Sequence, residues 1–180
     1  NLRPKYKPKD FGTGIVHLGV GSFHKAHQAV ITDHVLEQNG GNWRILGVSL
    51  RSLKAQIELG PQNGLYTLLT KNNVGVSARV IGAVSDVLSL VKNPELVLAA
   101  MTSIDIKIVS LTVTEKAYGL NRRSKGCDEK HPQVAADLNN FQEPKGVLGL
   151  LTKALELRRA ANIPPFTVLC CDNLPNNGSV

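Results

Sequence analysis

Gly19 and Gly21 stand a residue apart, followed by Ser22, Phe23 and His24, between an apolar run and a stretch of helical spacing. Glycines placed so let the backbone approach a pyrophosphate, and the amides that follow face the anion. The third position of the dinucleotide fingerprint, normally Gly or Ala, is His24 here. An ordinary tight turn is the other reading of the same residues. A dinucleotide site usually carries an acidic side chain just past its second strand, where it accepts hydrogen bonds from the adenosine ribose. The corresponding stretch, Ser-Leu-Arg-Ser-Leu-Lys at 49–54, has no acid. Arg51 and Lys54 there suit a 2′-phosphate, and hence NADP, or they are exposed cations at a solvated helix start.

Two further groups follow apolar runs directly: Thr112, Val113, Thr114, Glu115 and Lys116, and Cys170, Cys171, Asp172 and Asn173. Polar groups at the carboxyl ends of strands are where α/β sheets bind ligands. An Asn amide there can donate to a developing oxyanion, although Asp and Asn also serve turns and helix caps. His24 and His27, three apart, have the spacing of metal ligands but no third ligand nearby. No metal site is expected, and the rings are expected to pack around the glycine turn.

These groups need elements to hold them. Residues 14–19 and 43–49 read as buried strands flanking a helix over about 25–37, which makes one βαβ unit. A short helix is expected over 51–59, and a hairpin from 65–70 and 76–81 joined by Lys-Asn-Asn-Val-Gly. Helices are expected over 93–103, 132–138 and 147–161, and strands over 104–113 and 166–170. A polar segment runs over 114–128 and a loop over 172–178. Buried strands alternating with helices argue for an open, mainly parallel α/β sheet.

Composition narrows the function classes. The 180 residues include 42% hydrophobic and 19% charged side chains, which disfavours disorder and suits one domain. No apolar run approaches the roughly 20 residues of a membrane helix, and no signal peptide is evident. The net charge of +7 raises nucleic acid as a partner. Its sources, at Arg3, Lys5, Lys7 and Lys9, at Arg122, Arg123 and Lys125, and at Arg158 and Arg159, are scattered, and aromatics make up only 4%. The expectation is neither nucleic acid nor membrane. Three cysteines, two of them adjacent, make a poor disulfide framework and suit a reducing, cytoplasmic setting.

Four stretches together resemble one family. Gly14-Ile-Val-His-Leu-Gly-Val-Gly-Ser-Phe-His-Lys-Ala-His-Gln, residues 43–51, Val109-Ser-Leu-Thr-Val-Thr-Glu-Lys-Ala-Tyr, and 158–178 with its Cys-Asp-Asn-Leu-Pro core follow the order found in the mannitol dehydrogenase and fructuronate reductase family of polyol-specific long-chain dehydrogenases. The resemblance implies a Rossmann-like domain over 14–180 after an extended lead-in, 1–13, with helices on both faces of the sheet and the hairpin as an insertion. It implies NAD or NADP as cofactor and hydride exchange between a polyol and a ketose, such as D-mannitol and D-fructose. A sugar-acid reductase or a nucleotide-binding module without catalysis are the alternatives. It places Gly19, Gly21, Ser22 and Phe23 along the cofactor phosphates, and Thr114, Glu115 and Lys116 by the nicotinamide half. Asn173 falls in the oxyanion hole. Lys25 replaces the family's usual Arg and Ala117 its usual Gly. Leu53 and Lys54 stand where NAD-preferring members carry acids, which favours NADP. The family's base, a Lys on a C-terminal helical domain, matches none of the lysines here, so these residues are expected to be the cofactor half and inactive alone.

Overall fold

The computed structural model describes residues 3–121 and 126–173. The expected basic cluster at 122–125 and the loop residues 174–178 lie outside the described residues.

Five strands, β1 (Thr13–Leu18), β2 (Arg44–Ser49), β5 (Val84–Ser89), β6 (Ile108–Leu111) and β9 (Thr167–Cys170), form one sheet in the order β5-β2-β1-β6-β9. All four pairings are parallel. The β3 (Tyr66–Asn72) and β4 (Gly75–Ile81) strands make the expected antiparallel hairpin. A two-residue ladder joins β7 (Leu120–Asn121) to β8 (Gly126–Cys127). The helices are α1 (Ser22–Ala26), α2 (Gln28–Asn39), α3 (Lys54–Leu59), α4 (Pro94–Thr102), α5 (Pro132–Asn139) and α6 (Val147–Ala160).

Alternation along the buried strands sends side chains into two cores. Val16 and Leu18 of β1 join Val97 and Met101 of α4 and Leu150 and Ala154 of α6 on one face. Ile15 of β1 joins Ala29 and Leu36 of α2 and Leu59 of α3 on the other. The chain is therefore an α/β doubly wound sheet with helices on both faces and an antiparallel hairpin set into the β2–β5 crossover. Arg158 braces the first core from α6. Its buried guanidinium donates to the carbonyls of Met101, Ser103, Ile106 and Pro164, fixing the turn that leads into β6.

Several expected boundaries move. The strand expected over 104–113 is only Ile108–Leu111, because residues 103–106 are tied in a turn by the Ile106 amide on the Ser103 carbonyl. The first helix is broken at His27, whose φ of −125° and ψ of −81° lie outside the helical well. Strand β5 was not expected at all. Its sequence, Val-Ser-Asp-Val-Leu-Ser, mixes polar and apolar residues, and the chain enters it from the hairpin without an intervening helix. The residues before β1 pack on the domain: the Tyr6 hydroxyl donates to buried Asp33 at 2.5 Å, and Tyr6 and Phe11 lie against the second core.

The register sets the site. Leu18 lies level with Val48 on one side and Leu111 on the other, and Leu111 with Cys170. The loops that follow these strands therefore leave the sheet side by side. The strand order reverses between β1 and β6, the switch point at which open α/β sheets bind ligands.

Candidate functional site

The chain leaves β1 into a turn that three strands hold. Gly19 has φ +103°, and an added Cβ would lie 2.3 Å from the Thr112 carbonyl oxygen, so only glycine fits. Its amide donates to the Val48 carbonyl at 2.9 Å, from the end of β2. Its carbonyl accepts the Gly21 amide at 2.8 Å and the Thr112 hydroxyl at 2.8 Å, the latter from the end of β6. Gly21 is different. An added Cβ would meet nothing nearer than the Gly19 carbonyl at 3.9 Å, so the space before it is open.

That space is a cleft of about 280 Å³ lined by residues 19–21, 49–52 and 112–114 with Ala117. A second cleft of about 550 Å³ shares Leu50 and Arg51 with it and continues past Leu90, Val91 and Pro94 to Gln133 and residues 143–145. Together they run along the carboxyl ends of the strands, with backbone and hydroxyl groups at the glycine turn and Leu90, Val91 and Pro94 in the stretch beyond it. None of the residues lining the first cleft is acidic.

The predicted site residues divide. Gly19, Gly21, Arg51 and Thr114 line the first cleft, and Arg51 lines both. Ser22 and Phe23 open α1 and are exposed, with Phe23 stacked on His27 at 5.1 Å. Lys54 lines neither cleft; it starts α3 and pairs with Glu58 at 3.8 Å on the open surface. Glu115 and Lys116 turn away at the one-turn helix Glu115–Tyr118 and line a separate pocket with Gly119, Leu120 and His131. His24 and His27 part company: His24 is buried against His17, and His27 lies outward beneath Phe23.

Asn173 is exposed just past β9. Its neighbour Asp172 reaches the loop after β6. One carboxylate oxygen accepts the Val113 amide at 2.5 Å and the other accepts the Tyr118 hydroxyl, so the loop after β9 is tied to the loop after β6. Burial, and then the bond to Asp172, push the Tyr118 phenol far above its ordinary value and keep it a donor. Burial also raises the Cys171 thiol, with the Asp172 charge adding to it.

The sequence reading missed His17, Ser110, Tyr118 and Asp172 as working residues. His17 and Ser110 each interrupt an apolar run in a strand that is buried on both faces, and a polar side chain there must find a partner. That interruption was the available signal. Nothing along the chain marked Tyr118 as the partner of Asp172.

The parallel order with its reversal, the strained glycine at the switch point and the cleft before it define a dinucleotide-binding α/β domain. Residues 13–180 match the family described as the mannitol dehydrogenase Rossmann domain, and the chain belongs to that family. It is 44% identical over 180 residues to a mannitol 2-dehydrogenase of Phaeosphaeria nodorum, covering 98% of this chain and 32% of that protein. The structure of Pseudomonas fluorescens mannitol 2-dehydrogenase, a ternary complex with NAD and D-mannitol, superposes with a TM-score of 0.93 at 42% identity, covering 98% of this chain and 37% of that one. A D-sorbitol dehydrogenase in substrate-free form gives 0.92 at 38% identity, with the same coverages. The chain thus spans about a third of the length of these relatives.

Proposed function

We propose that this chain is the cofactor-binding part of a nicotinamide-dependent oxidoreductase that interconverts a polyol and a ketose, with D-mannitol and D-fructose as the pair. The observation that carries the reading is the open cleft before Gly21, walled by the ends of β1, β2 and β6 at the switch point. The residues fit a dinucleotide. The missing Cβ at Gly21 leaves room for a phosphate, and the adjoining cleft of about 550 Å³, with Leu90, Val91 and Pro94 on its wall, has the volume for adenine. Family membership and the names of the relatives support the reading.

The cofactor would supply a hydride donor or acceptor. The backbone at Gly19, Gly21, Ser22 and Phe23 would lie along its phosphates, with Thr114 toward the nicotinamide half; Glu115 and Lys116, which the family resemblance also sets there, line the neighbouring pocket instead. Arg51 would meet the adenosine ribose. No carboxylate stands among the described residues of the first cleft, and Glu143 lines the second, so a 2′-phosphate held beside Arg51 is accepted and NADP is bound as well as NAD. The Asn173 amide would donate to the substrate oxygen as it gains charge, a contribution worth on the order of 10²–10³ in rate where such a donor is aimed well. The lysine base implied by the family would come from a further domain.

Titration of the protein with NADH and NADPH, followed by fluorescence, tests the reading. Binding of either at micromolar to sub-millimolar concentration is expected. Binding of neither at millimolar concentration would reject it.

A further inference from the structure

Beneath the glycine turn lies a closed chain of buried polar groups. His17 is wholly buried on β1. Its Nδ1 lies 2.8 Å from the Ser110 hydroxyl. Its Nε2 lies 2.8 Å from the Thr112 hydroxyl and 3.1 Å from the Gly19 carbonyl oxygen. The Gln28 side-chain amide donates to Ser110 at 2.9 Å. His24 stacks on the His17 ring at 3.6 Å, only 10° from parallel. Both of its ring nitrogens are buried without a hydrogen-bond partner among the described residues.

The partners assign the protons. A carbonyl oxygen only accepts, and Thr112 spends its single proton on Gly19. With the Thr112 proton so placed, His17 Nε2, facing both oxygens, carries hydrogen and donates. A neutral ring then has a bare Nδ1, so Ser110 donates to it, and Gln28 fills the Ser110 lone pair. The reverse assignment, with Nδ1–H donating to Ser110 and Thr112 donating to Nε2, needs the Gln28 amide turned over to accept the Ser110 proton and takes two donors from the Gly19 carbonyl. Burial holds that ring neutral, with the His17 pKa lowered to about 4. Burial, then His17 and Lys25, lower His24 further, to about 2.

We propose that His17, locked by Ser110 as the Nε2–H tautomer, is the positioning residue of the dinucleotide turn. It adds a third donor to the Gly19 carbonyl, beside the Gly21 amide and the Thr112 hydroxyl, and so fixes the peptide plane from which the cleft-facing amides follow. His24 holds the ring plane by stacking. This rests on the reading of the cleft as a dinucleotide site. Ser110 itself does not line the cleft, so its effect on binding travels through the side chains it bonds, His17 and Gln28.

Two measurements on the intact protein test it. A neutron crystal structure is expected to show deuterium on His17 Nε2 and none on Nδ1. Ser110→Ala removes the group that holds Nδ1 and puts no acceptor in its place, so the proton is expected to stay on Nε2 while the ring loses its fixed orientation and its contact with the Gly19 carbonyl lengthens. NADH binding should then weaken by roughly 3- to 10-fold, the loss of about one hydrogen bond. Thr112→Val, which deletes the other side-chain donor, should weaken NADH binding to a similar degree, and it serves if Ser110→Ala does not fold. Deuterium on Nδ1 in the unaltered protein would overturn the proposal. So would NADH affinity unchanged in a folded variant whose parent binds NADH. If the parent binds neither NADH nor NADPH, the cofactor reading fails and the positioning role falls with it. The neutron map then still reports the tautomer by itself.

Discussion

The two ends of the site are built in opposite ways. At Gly19 the turn is gripped by β1, β2 and β6, with a positive-φ glycine that no other residue can replace and a buried polar layer below it. At Asn173 the chain is an exposed loop after the edge strand β9, whose residues 167–169 are themselves exposed, and among the described residues one side chain, Asp172, ties it inward beside the Cys171 amide on the Leu111 carbonyl. A rigid mould suits a ligand part that is the same in every turnover. A single tether sets one amide and leaves the surrounding surface free. The difference also predicts how each end fails: the first should lose binding, and the second should lose rate.

The largest effect is expected at the mould. Gly19→Ala puts a methyl 2.3 Å from the Thr112 carbonyl and demands a backbone conformation that alanine resists. Dinucleotide affinity should fall on the order of 100-fold by titration. A loss of less than about threefold would show the turn to be looser than described. Next comes the tether. Asp172→Ala frees the loop and leaves the Tyr118 hydroxyl without its acceptor. In the intact enzyme, kcat should fall roughly 10- to 100-fold while the NADH dissociation constant stays within about twofold. Equal loss of both would erase the contrast. Tyr118→Phe should do the same on a smaller scale, about 3- to 10-fold in kcat.

Acid should act on the mould alone. The unfolded imidazoles take up protons near their ordinary 6.5, whereas His17 does so only near 4 and His24 near 2. Between those values the unfolded chain holds more protons, so stability falls as pH drops below 6.5. The slope should reach roughly 1.4 kcal/mol per pH unit for each ring, measured by denaturant unfolding from pH 7 to 4.5. A flat profile would mean that the pair is already charged or is open to water. The smallest effects concern the cofactor's far end. Arg51→Gln should weaken NADPH binding about tenfold more than NADH binding, whereas Lys54→Ala should change neither by more than about twofold. The reverse ranking would move the 2′-phosphate contact to Lys54.

Much of the frame was legible from the chain. The apolar runs at β1 and β2, the glycine turn between β1 and α1, and the breaks at Gly40 and Pro165 mark elements through burial and backbone chemistry, which act locally. Strand β5 was hidden because Val-Ser-Asp-Val-Leu-Ser is neither a continuous apolar run nor a strict alternation, so neither strand signal is present. Among the expected site residues, Gly19 and Arg51 line the cleft together with their neighbours in sequence. Lys54 does not line it, since whether a cation faces a cleft or a helical Glu58 depends on the direction of α3. Asp172 looked like turn chemistry because its partners, Val113 and Tyr118, lie far away along the chain.

The central claim is that the opening before Gly21 receives the pyrophosphate of a nicotinamide dinucleotide. A crystal structure of the intact protein with NADH tests this most directly. The account predicts the pyrophosphate against the backbone of residues 19–23, with the adenosine running past Arg51 toward Leu90. A dinucleotide bound elsewhere, or phosphates more than one water layer from Gly21, would contradict it.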